Sequence, residues 1–399
     1  MNLMIRRYII AIGILSLVYS CSPKKNSETS TLNYLEQEIP GDVPMIFGEG
    51  IVSVKGRFDM GFTMSPDGKS MAFGVAHESD SDQTCIYLTN NIDGYWTDPS
   101  KSFLANNSNT FFPMFSPTGK ELYFAKSIED SETDIWVGNY VDNKVIDAQP
   151  LDSLVNSKSR EAGHGLTRSG KLYFTSNRDD QNPCCGDVYF TQSLDGEGIQ
   201  VQKSEVLSSE ADEESLYLSP NEDFIIIQAW KNEYGSKHDL YISYRTKSGS
   251  WTEPDRLDSN INSNEIEQRP FVTADNKFLF FSRMSITNEN GQDLYDSDIY
   301  WVSTKTVFSP YVYNDQFNAS VNNNEDFELE LPKELFKDID GNELLYELTL
   351  KDNSKMPDWM VFDPDQLVIK GKWNTQEELQ FTLTATDANG NSGEFNFAL

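Results

Sequence analysis

Four carboxylates stand at equivalent positions of a sequence repeat. Asp59, Glu161, Glu213 and Glu267 each lie six residues before a turn motif, and Thr110 holds that position in the remaining copy. Like charges brought close together bind a cation, retain a proton at a raised pKa, or pair with a base. Two carboxylates about 5–10 Å apart are also what glycoside hydrolysis requires. The pattern therefore predicts either a charged binding surface or, less directly, a hydrolytic site.

Three arginines offer a structural alternative for the same carboxylates. Arg57, Arg160 and Arg269 lie within two residues of an acidic member of the set, so each is near enough in sequence to form an ion pair. If these carboxylates all form ion pairs within the protein, none of them is free to bind a ligand. Sequence alone keeps both interpretations open.

Three further side chains are candidates on the same predicted face. His164 follows Glu161 on one predicted strand, and Trp230 and Tyr234 follow a strand in the fourth copy. Flat aromatic rings can stack on a sugar or a peptide. The alternatives are that a single histidine packs as a polar core residue and that the aromatic rings cap the edge of a sheet.

The turn motif from which these positions are counted occurs five times. It reads Ser65-Pro66-Asp67-Gly68-Lys69 in the first copy, and its anchor recurs every 51 to 54 residues, at Ser116, Thr167, Ser219 and Thr273. Proline presets one turn dihedral and glycine takes the positive φ that closes a hairpin. A fixed period of about fifty residues with strand patterning is typical of propellers and solenoids, because one unit cannot bury its own apolar faces.

A complete copy of the repeat predicts four strands. The strand after the turn is apolar on successive residues, as in Phe278-Leu279-Phe280-Phe281, which indicates burial on both faces. The last copy stops after its third strand near Ser303, whereas Pro44 to Gly48 reads as a spare strand before the first copy. Pairing the two would close a ring and remove two exposed sheet edges. We therefore expect an all-β, five-bladed β-propeller of four-stranded blades over residues 40–311.

These units resemble the WD-like propeller repeats of the TolB-like group. The resemblance rests on Ser-Pro-Asp-Gly-Lys followed by an apolar strand and covers about residues 40–310. It implies the propeller fold and a role in binding proteins or peptides. It names no ligand.

Residues 312–399 predict a second β-domain. Short alternating strands are separated by Asp, Asn and Gly turns, a pattern typical of a β-sandwich. Pro357-Asp358-Trp359 and the final strand Thr382 to Gly390 resemble the dystroglycan-type cadherin-like domain, which belongs to the cadherin-like and Ig-like β-sandwiches.

The resemblance to cadherin-like domains implies calcium as the one candidate cofactor. Asp338, Asp340 and Asp387 match positions at which such domains supply oxygen ligands, and hard oxygens suit Ca²⁺. Asp and Asn also favour turns, so a purely structural role stays open.

The start of the chain predicts export. Arg6 and Arg7 precede an apolar run from Tyr8 to Tyr19, which is too short to span a bilayer and suits a signal peptide over residues 1–20. The following Cys21 resembles the lipidated cysteine of bacterial lipoproteins, with residues 21–39 as a tether. The expectation is a lipid-anchored protein of the bacterial cell envelope, most simply at the outer membrane. An ordinary secretory signal is the alternative.

The remaining cysteines are Cys85 and the adjacent Cys184 and Cys185. Export permits oxidation, and a disulfide between Cys184 and Cys185 is one prediction. Metal binding is not favoured, because no histidine lies at ligand spacing from them.

Charge excludes whole classes of partner. The formal net charge is −31 over 399 residues. A nucleic-acid binder needs a basic footprint, and binding to an anionic membrane through charge needs basic segments. The acidity instead favours cations and basic partners. Membrane association is therefore expected through the lipid only.

Three functions follow as expectations. The first is non-catalytic recognition of an envelope protein, peptide or glycan on the acidic propeller face, supported by the lack of Gly-x-Ser-x-Gly, His-Glu-x-x-His and phosphate-loop motifs. The second is glycoside hydrolysis by the propeller carboxylates. The third is calcium-dependent adhesion through the C-terminal domain.

Overall fold

The structure is a computed structural model of the 399-residue chain. It describes residues 34–76, 83–102, 108–128, 132–179, 185–194, 198–231, 237–289, 292–317, 320–321, 326–352, 354–373 and 378–399. Nearly all regular structure in these ranges is β-strand, apart from a short 3-10 helix at Thr304–Thr306. None of the helices in the described ranges is long and apolar enough to cross a membrane.

One short strand precedes five repeated groups of strands. This strand is β1 (Met45–Ile46). The first group comprises β2 (Phe58–Met64), β3 (Ser70–Ala76), β4 (Cys85–Ile92) and the short β5 (Tyr95–Trp96) and β6 (Ser100–Lys101). The second comprises β7 (Ser108–Phe115), β8 (Glu121–Ile128), β9 (Thr133–Val141) and β10 (Lys144–Pro150). The third comprises β11 (Glu161–Leu166), β12 (Leu172–Ser176), β13 (Asp187–Leu194) and β14 (Gly198–Lys203). The fourth comprises β15 (Asp212–Leu218), β16 (Phe224–Trp230), β17 (Asp239–Tyr244) and β18 (Asp255–Arg256). The fifth comprises β19 (Ile266–Val272), β20 (Phe278–Glu289) and β21 (Gln292–Ser303).

Strand pairing makes these groups the blades of a β-propeller, which we number units 1 to 5 in chain order. Units 2, 3 and 4 are separate antiparallel sheets of four strands each. Unit 5 has three strands of its own and takes β1 as its outer strand, with Met45 opposite Trp301 and Ile46 opposite Tyr300. The N-terminal strand thus pairs where the sequence predicts it.

The ring closes through an aromatic cluster as well as through hydrogen bonds. Phe47, directly after β1, is fully buried. Its ring centroid lies 5.3 Å from that of Phe62 in unit 1 and 4.9 and 5.2 Å from those of Phe280 and Trp301 in unit 5. The segment therefore joins the first and last units by packing, which is the main source of stability in such an interface.

The predicted turns have the expected geometry. Gly68 has φ +69°, and its N–H donates to Ser65 O at 2.8 Å. Ser65 Oγ donates to Asp67 Oδ1 at 2.6 Å. The middle strands are buried on both faces: in β16 every residue from Phe224 to Ala229 is buried.

The C-terminal domain is an Ig-like sandwich of short strands. Its strands are β22 (Tyr311–Val312), β23 (Asp326–Glu330), β24 (Phe336–Lys337), β25 (Leu345–Leu350), β26 (Met360–Asp363), β27 (Val368–Lys372), β28 (Gln380–Thr386) and β29 (Ser392–Ala398). The sheets β23-β27-β26 and β25-β28-β29 enclose a separate core that includes Ile369, Trp373, Phe381 and Leu383, while β22 pairs with β24. The chain is therefore all-β, with a propeller followed by an Ig-like domain.

The sandwich contacts the fourth propeller unit. Tyr311 stacks on Tyr244 with ring centroids 4.4 Å apart and planes 7° apart. Lys337 Nζ forms an ion pair with Asp223 Oδ1 of that unit at 3.0 Å, and Asn391 Nδ2 donates to Phe308 O, in the segment between unit 5 and the sandwich, at 3.0 Å. Apolar stacking and polar contacts together dock the two domains.

Candidate functional site

The four repeated carboxylates lie inside the protein. Asp59, Glu161, Glu213 and Glu267 stand at the entry to β2, β11, β15 and β19, as the repeat predicts, and each is at most 1% exposed. In this structure the four carboxylates do not form an exposed charged surface, and the structural alternative of internal bonding describes them better. A buried carboxylate must be bonded within the protein, and these are.

Three of them share one bonding pattern with a serine four residues earlier. In units 3, 4 and 5 the serine donates both its backbone N–H and its hydroxyl to the two carboxylate oxygens. The pairs are Ser157–Glu161, Ser209–Glu213 and Ser263–Glu267, with hydroxyl distances of 2.6 Å in each case. The carboxylate thus fixes the loop that enters the inner strand.

Arginines complete the bonding in three units. Asp59 pairs with Arg57 at 2.7 Å, as predicted. Glu161 pairs with Arg178 at 3.0 Å and Glu267 pairs with Arg283 at 2.8 Å. The predicted partners of those two glutamates are wrong, because Arg178 lies just after β12 and Arg283 lies on β20, both distant in sequence from the glutamates.

The other two arginines predicted as partners have different surroundings. Arg160 Nη2 lies 3.7 Å from Glu214, the residue after Glu213. Arg269 forms no ion pair with any described residue; its guanidinium lies over the ring of Phe112, 4.6 Å from the centroid. Neither of them neutralises a member of the carboxylate set.

Glu213 differs from the other three, since it forms no ion pair with another described residue. Burial raises its pKa to about 7, against the lowering effect of the hydrogen bonds from Ser209. Burial also raises the pKa of Asp59, to about 6, and that of Glu267. Near neutral pH these groups therefore hold protons more strongly than exposed carboxylates.

His164 is a packed core residue here. It is 3% exposed, its Nδ1 lies 3.2 Å from Ala162 O, and its ring centroid is 6.3 Å from that of Tyr123. Burial lowers its pKa to about 4, so the imidazole is neutral at physiological pH. The side chain is not accessible to a large ligand.

An exposed cleft does lie between units 3 and 4, on the predicted loop face. We call it the Trp230 cleft. It has a volume of about 480 Å³ and is lined by Cys185, Ser209, Glu210, Ala211, Asp212, Trp230 and Lys231. Trp230, at the end of β16, is 41% exposed. The cleft therefore combines an open aromatic face with charged side chains.

Neighbouring residues hold the Trp230 cleft in place. The imidazole of His238 stacks on Trp230 with ring centroids 6.0 Å apart, and its Nδ1 contacts Gln228 Nε2 at 3.1 Å. Asp212 accepts a hydrogen bond from Gly186 N at 2.7 Å, and burial raises its pKa. Trp230 is thus the one exposed aromatic among the predicted binding residues that the structure describes.

Sequence reasoning missed His238, Asp212 and Lys231. Asp212 directly precedes Glu213, and Lys231 directly follows Trp230, so proximity to predicted residues was the available signal. His238 directly precedes β17, the strand that pairs with β16, and no local pattern predicts its contact with Trp230. Tyr234, also predicted to bind, lies outside the described residues.

The structure describes only some of the cysteines for which a disulfide or lipidation is predicted. Cys185 takes part in a disulfide bond, while Cys184, the partner predicted from the sequence, lies outside the described residues. Cys21 and residues 1–33 as a whole lie outside them too. Lipidation and the signal peptide stay predictions.

A larger groove, of about 750 Å³, lies between units 3 and 4 beside the turns at Gly170 and Gly249. Its aromatic wall contains Tyr173 and Trp251, whose indole N–H donates to Tyr173 Oη at 3.3 Å. Lys171 in this groove is already bonded, to Tyr173 Oη and to Glu222, both at 2.8 Å. Lys171 and Tyr173 are therefore bonded to each other and to Glu222, and the groove contains none of the predicted binding residues that the structure describes.

The three aspartates of the C-terminal domain come together. Carboxylate oxygens of Asp338, Asp340 and Asp387 all lie within 4.8 Å of one another. Oδ1 of Asp338 is buried without a hydrogen-bond partner. Burial, with Asp338 adding to it, raises the pKa of Asp340 to about 6. An oxygen-only set with an unsatisfied carboxylate atom fits the ligand preference of Ca²⁺.

Comparison with known proteins finds an Ig-like match at the C-terminal end of the chain. A family model described as "Putative Ig domain" (He_PIG) matches residues 309–399. No curated protein matches the chain.

Solved structures with related folds include propellers of different activity. TolB from Acinetobacter baumannii has a TM-score of 0.38 and 16% identity over 63% of this chain; the match spans 55% of the TolB chain. A structure described as "putative TolB" from Agrobacterium tumefaciens has a TM-score of 0.41 and 12% identity over 67% of this chain and 99% of its own. An exo-β-1,3-galactanase from Clostridium thermocellum has a TM-score of 0.44 and 10% identity over 88% of this chain and 82% of its own. These similarities do not separate binding from catalysis.

Proposed function

We propose that this chain is a non-catalytic recognition protein of the bacterial cell envelope, lipid-anchored through Cys21, that binds a peptide segment of a partner protein in the Trp230 cleft. The observation that carries the proposal is the contrast between the two sets of predicted binding residues. The repeated carboxylates are buried and bonded within the protein, whereas Trp230 is 41% exposed beside unburied charge.

The chemistry of the cleft favours a segment that contains both apolar and basic side chains. An exposed indole offers a flat apolar surface, and aromatic residues dominate the binding energy of many interfaces. Glu210 and Asp212 add negative charge at the rim. The net charge of −31 draws basic partners from a distance and speeds their association.

Burial of the four carboxylates weakens the hydrolase alternative. Hydrolysis requires one carboxyl to protonate the leaving group and a second to act on the sugar, both in contact with substrate. Asp59, Glu161 and Glu267 are occupied by arginines, and Glu213 is held by Ser209. A substrate would have to break these bonds before catalysis.

A binding screen tests the proposal. The full chain would be applied to arrays of basic peptides and of glycans, beside Trp230→Ala, Asp212→Asn and the control Tyr95→Ala. Tyr95 is 78% exposed on the hairpin of unit 1, away from the cleft. Peptide binding that Trp230→Ala removes and Tyr95→Ala retains supports the proposal. Glycan hits that release reducing ends would establish the hydrolase instead, and peptide binding unchanged by Trp230→Ala would refute the site.

Calcium binding is a second candidate function, favoured by the unsatisfied Oδ1 of Asp338. The cluster lies close to the domain junction: Asn391 donates to Asp387 Oδ2 at 2.8 Å and also to Phe308 O of the preceding segment. Calcium held by Asp338, Asp340 and Asp387 would neutralise their repulsion and stiffen this junction. A junction stiffened in this way would support calcium-dependent adhesion through the C-terminal domain.

A further inference from the structure

One residue from each propeller unit lines the central channel at the same depth. These residues stand four positions before the turn anchors: Gly61, Phe112, Gly163, Ser215 and Arg269. The register of every inner strand shifts here, with a β-bulge in β2, β7, β11, β15 and β19. Bulges re-aim a side chain locally, so the shared bulge explains why these five positions meet in the channel.

The small members of the set make room for the two large ones. A Cβ on Gly61 would lie 3.2 Å from Arg269 Cδ, and a Cβ on Gly163 would lie 2.3 Å from Ser215 Cα. Ser215 Oγ accepts a hydrogen bond from Arg269 N at 3.0 Å. The guanidinium of Arg269 and the ring of Phe112 therefore occupy the channel that the other three units leave open.

The backbone is strained at the two large residues. Phe112 has φ +52° and Arg269 has φ +55°, a region that non-glycine residues rarely adopt. Such conformations cost on the order of 1–3 kcal/mol each and persist where the surroundings enforce them, often at binding sites. Gly61, with φ +57° at the equivalent position of unit 1, tolerates the same backbone without that cost.

Arg269 carries a charge that the described residues do not neutralise. Its Nε and Nη1 are inaccessible to solvent and have no hydrogen-bond partner. The other arginines near the carboxylate set behave differently, because Arg57, Arg178 and Arg283 each pair with a buried carboxylate. Arg269 is partly exposed as a whole, but two N–H groups buried without a partner still carry a desolvation cost.

Glu214 is the acid that acts on Arg269 electrostatically, but it is engaged elsewhere. Its carboxylate lies 3.7 Å from Arg160 Nη2 and accepts a hydrogen bond from Gln228 Nε2 at 3.1 Å. Asp212 adds a second carboxylate that acts on Arg160 and Glu214, so the charges around Arg160 are met by acids while Arg269 forms no ion pair with a described residue. Burial lowers the pKa of Arg269 to about 10, which still leaves it charged at neutral pH.

We propose that the channel binds one small monovalent anion of chloride size against the guanidinium of Arg269. The pocket that Arg269 lines together with Gly61, Phe112, Gly163 and Ser215 has a volume of about 20 Å³, which exceeds the roughly 10–15 Å³ needed by one water-sized occupant. It is too small for phosphate, sulfate or a carboxylate carried on a chain. A water molecule would fit, but it would not offset the charge. The site is distinct from the Trp230 cleft and does not depend on the function proposed there.

Crystals of the full chain grown with bromide test the site directly. We expect an anomalous peak within hydrogen-bonding distance of the Arg269 guanidinium, surrounded by Gly61, Gly163 and Ser215. Electron density without anomalous signal at that position, as a water would give, overturns the proposal. This measurement needs no variant and so does not depend on the folding of one.

Thermal unfolding provides a second, independent test. At constant ionic strength, replacing gluconate, which is too large for the channel, by chloride should raise Tm saturably by about 2–4 °C. Arg269→Gln should lose this response and Arg269→Lys should retain part of it. The control Arg168→Gln, at an exposed turn, should respond like the wild type. An equal chloride response in Arg269→Gln and wild type would contradict the proposal.

Discussion

Ser209 donates its backbone N–H and its hydroxyl to the two carboxylate oxygens of Glu213, at 3.2 and 2.6 Å. The same pairing joins serine and glutamate in units 3 and 5, four residues apart in each case. The acidic position of the repeat is therefore a structural element that holds the incoming loop onto the inner strand. The proposed recognition is therefore assigned to the exposed residues beside it, in the Trp230 cleft.

Glu213 should make stability depend on pH. Its folded-state pKa is about 7, against an ordinary value of 4.5, so the folded state binds the proton more tightly than the unfolded state. Stability should therefore fall as pH rises from about 4.5 to 7 and level off above that, by on the order of 3 kcal/mol for this group. Glu213→Gln should flatten this part of the profile in urea unfolding.

The matched control for that measurement is Glu253→Gln, an exposed glutamate of the same propeller unit. The difference between wild type and Glu253→Gln should be independent of pH. A Glu213→Gln profile with the wild-type slope between pH 4.5 and 7 would show that Glu213 titrates normally.

Replacing the arginine of a buried ion pair should reduce the free energy of unfolding far more than replacing the lysine of an exposed ion pair. Arg283→Met leaves the fully buried Glu267 carboxylate with the hydrogen bonds of Ser263 alone, and should destabilise the protein by about 3–5 kcal/mol. Lys370→Met breaks an exposed pair with Glu328 and should cost less than about 1 kcal/mol. Equilibrium unfolding in denaturant measures both.

A double variant distinguishes loss of the interaction between Arg283 and Glu267 from nonspecific destabilisation. Adding Glu267→Gln to Arg283→Met removes the uncompensated charge and should recover part of the loss. Strictly additive destabilisation would mean that the two side chains do not interact energetically.

The closing strand should contribute to the stability of the whole propeller. Phe47→Ala removes a fully buried ring that contacts Phe62, Phe280 and Trp301, and should cost about 3–5 kcal/mol. Ile39→Ala, at a position 52% exposed just before the strand, should change stability little. Equal, small effects of both substitutions would show that the ring does not need this segment.

Calcium should stabilise the sandwich if the aspartate cluster binds it. Adding millimolar Ca²⁺ to chelator-treated protein should raise the Tm of the C-terminal domain, and Asp340→Asn should reduce the shift, because one carboxylate ligand is lost. Asp365→Asn, an exposed acid away from the cluster, is the control. A Tm that ignores both calcium and chelator would leave the three aspartates as turn residues.

The propeller was predictable because its signals are local and repeated. Turn glycines such as Gly68, the doubly buried strand from Phe224 to Ala229, and the spare strand at Met45–Ile46 all lie where the sequence places them. Each depends on backbone geometry or periodicity within a few residues.

The candidate site was less predictable because burial and pairing depend on neighbouring strands. Glu161 stands at the acidic position of the repeat, yet its partner Arg178 lies 17 residues later, just after β12. The channel position of Arg269 depends on a β-bulge, which shifts side-chain direction by one residue and leaves no mark in the alternation of polar and apolar residues.

The most direct test of the proposed function is a binding titration with the tightest basic peptide from the array. Isothermal calorimetry would compare wild type, Trp230→Ala and Tyr95→Ala. Loss of the exposed indole should weaken binding at least about tenfold, since aromatic anchors commonly contribute more than 1.4 kcal/mol, while Tyr95→Ala should bind like the wild type. Equal affinity of Trp230→Ala and wild type would contradict recognition at the Trp230 cleft.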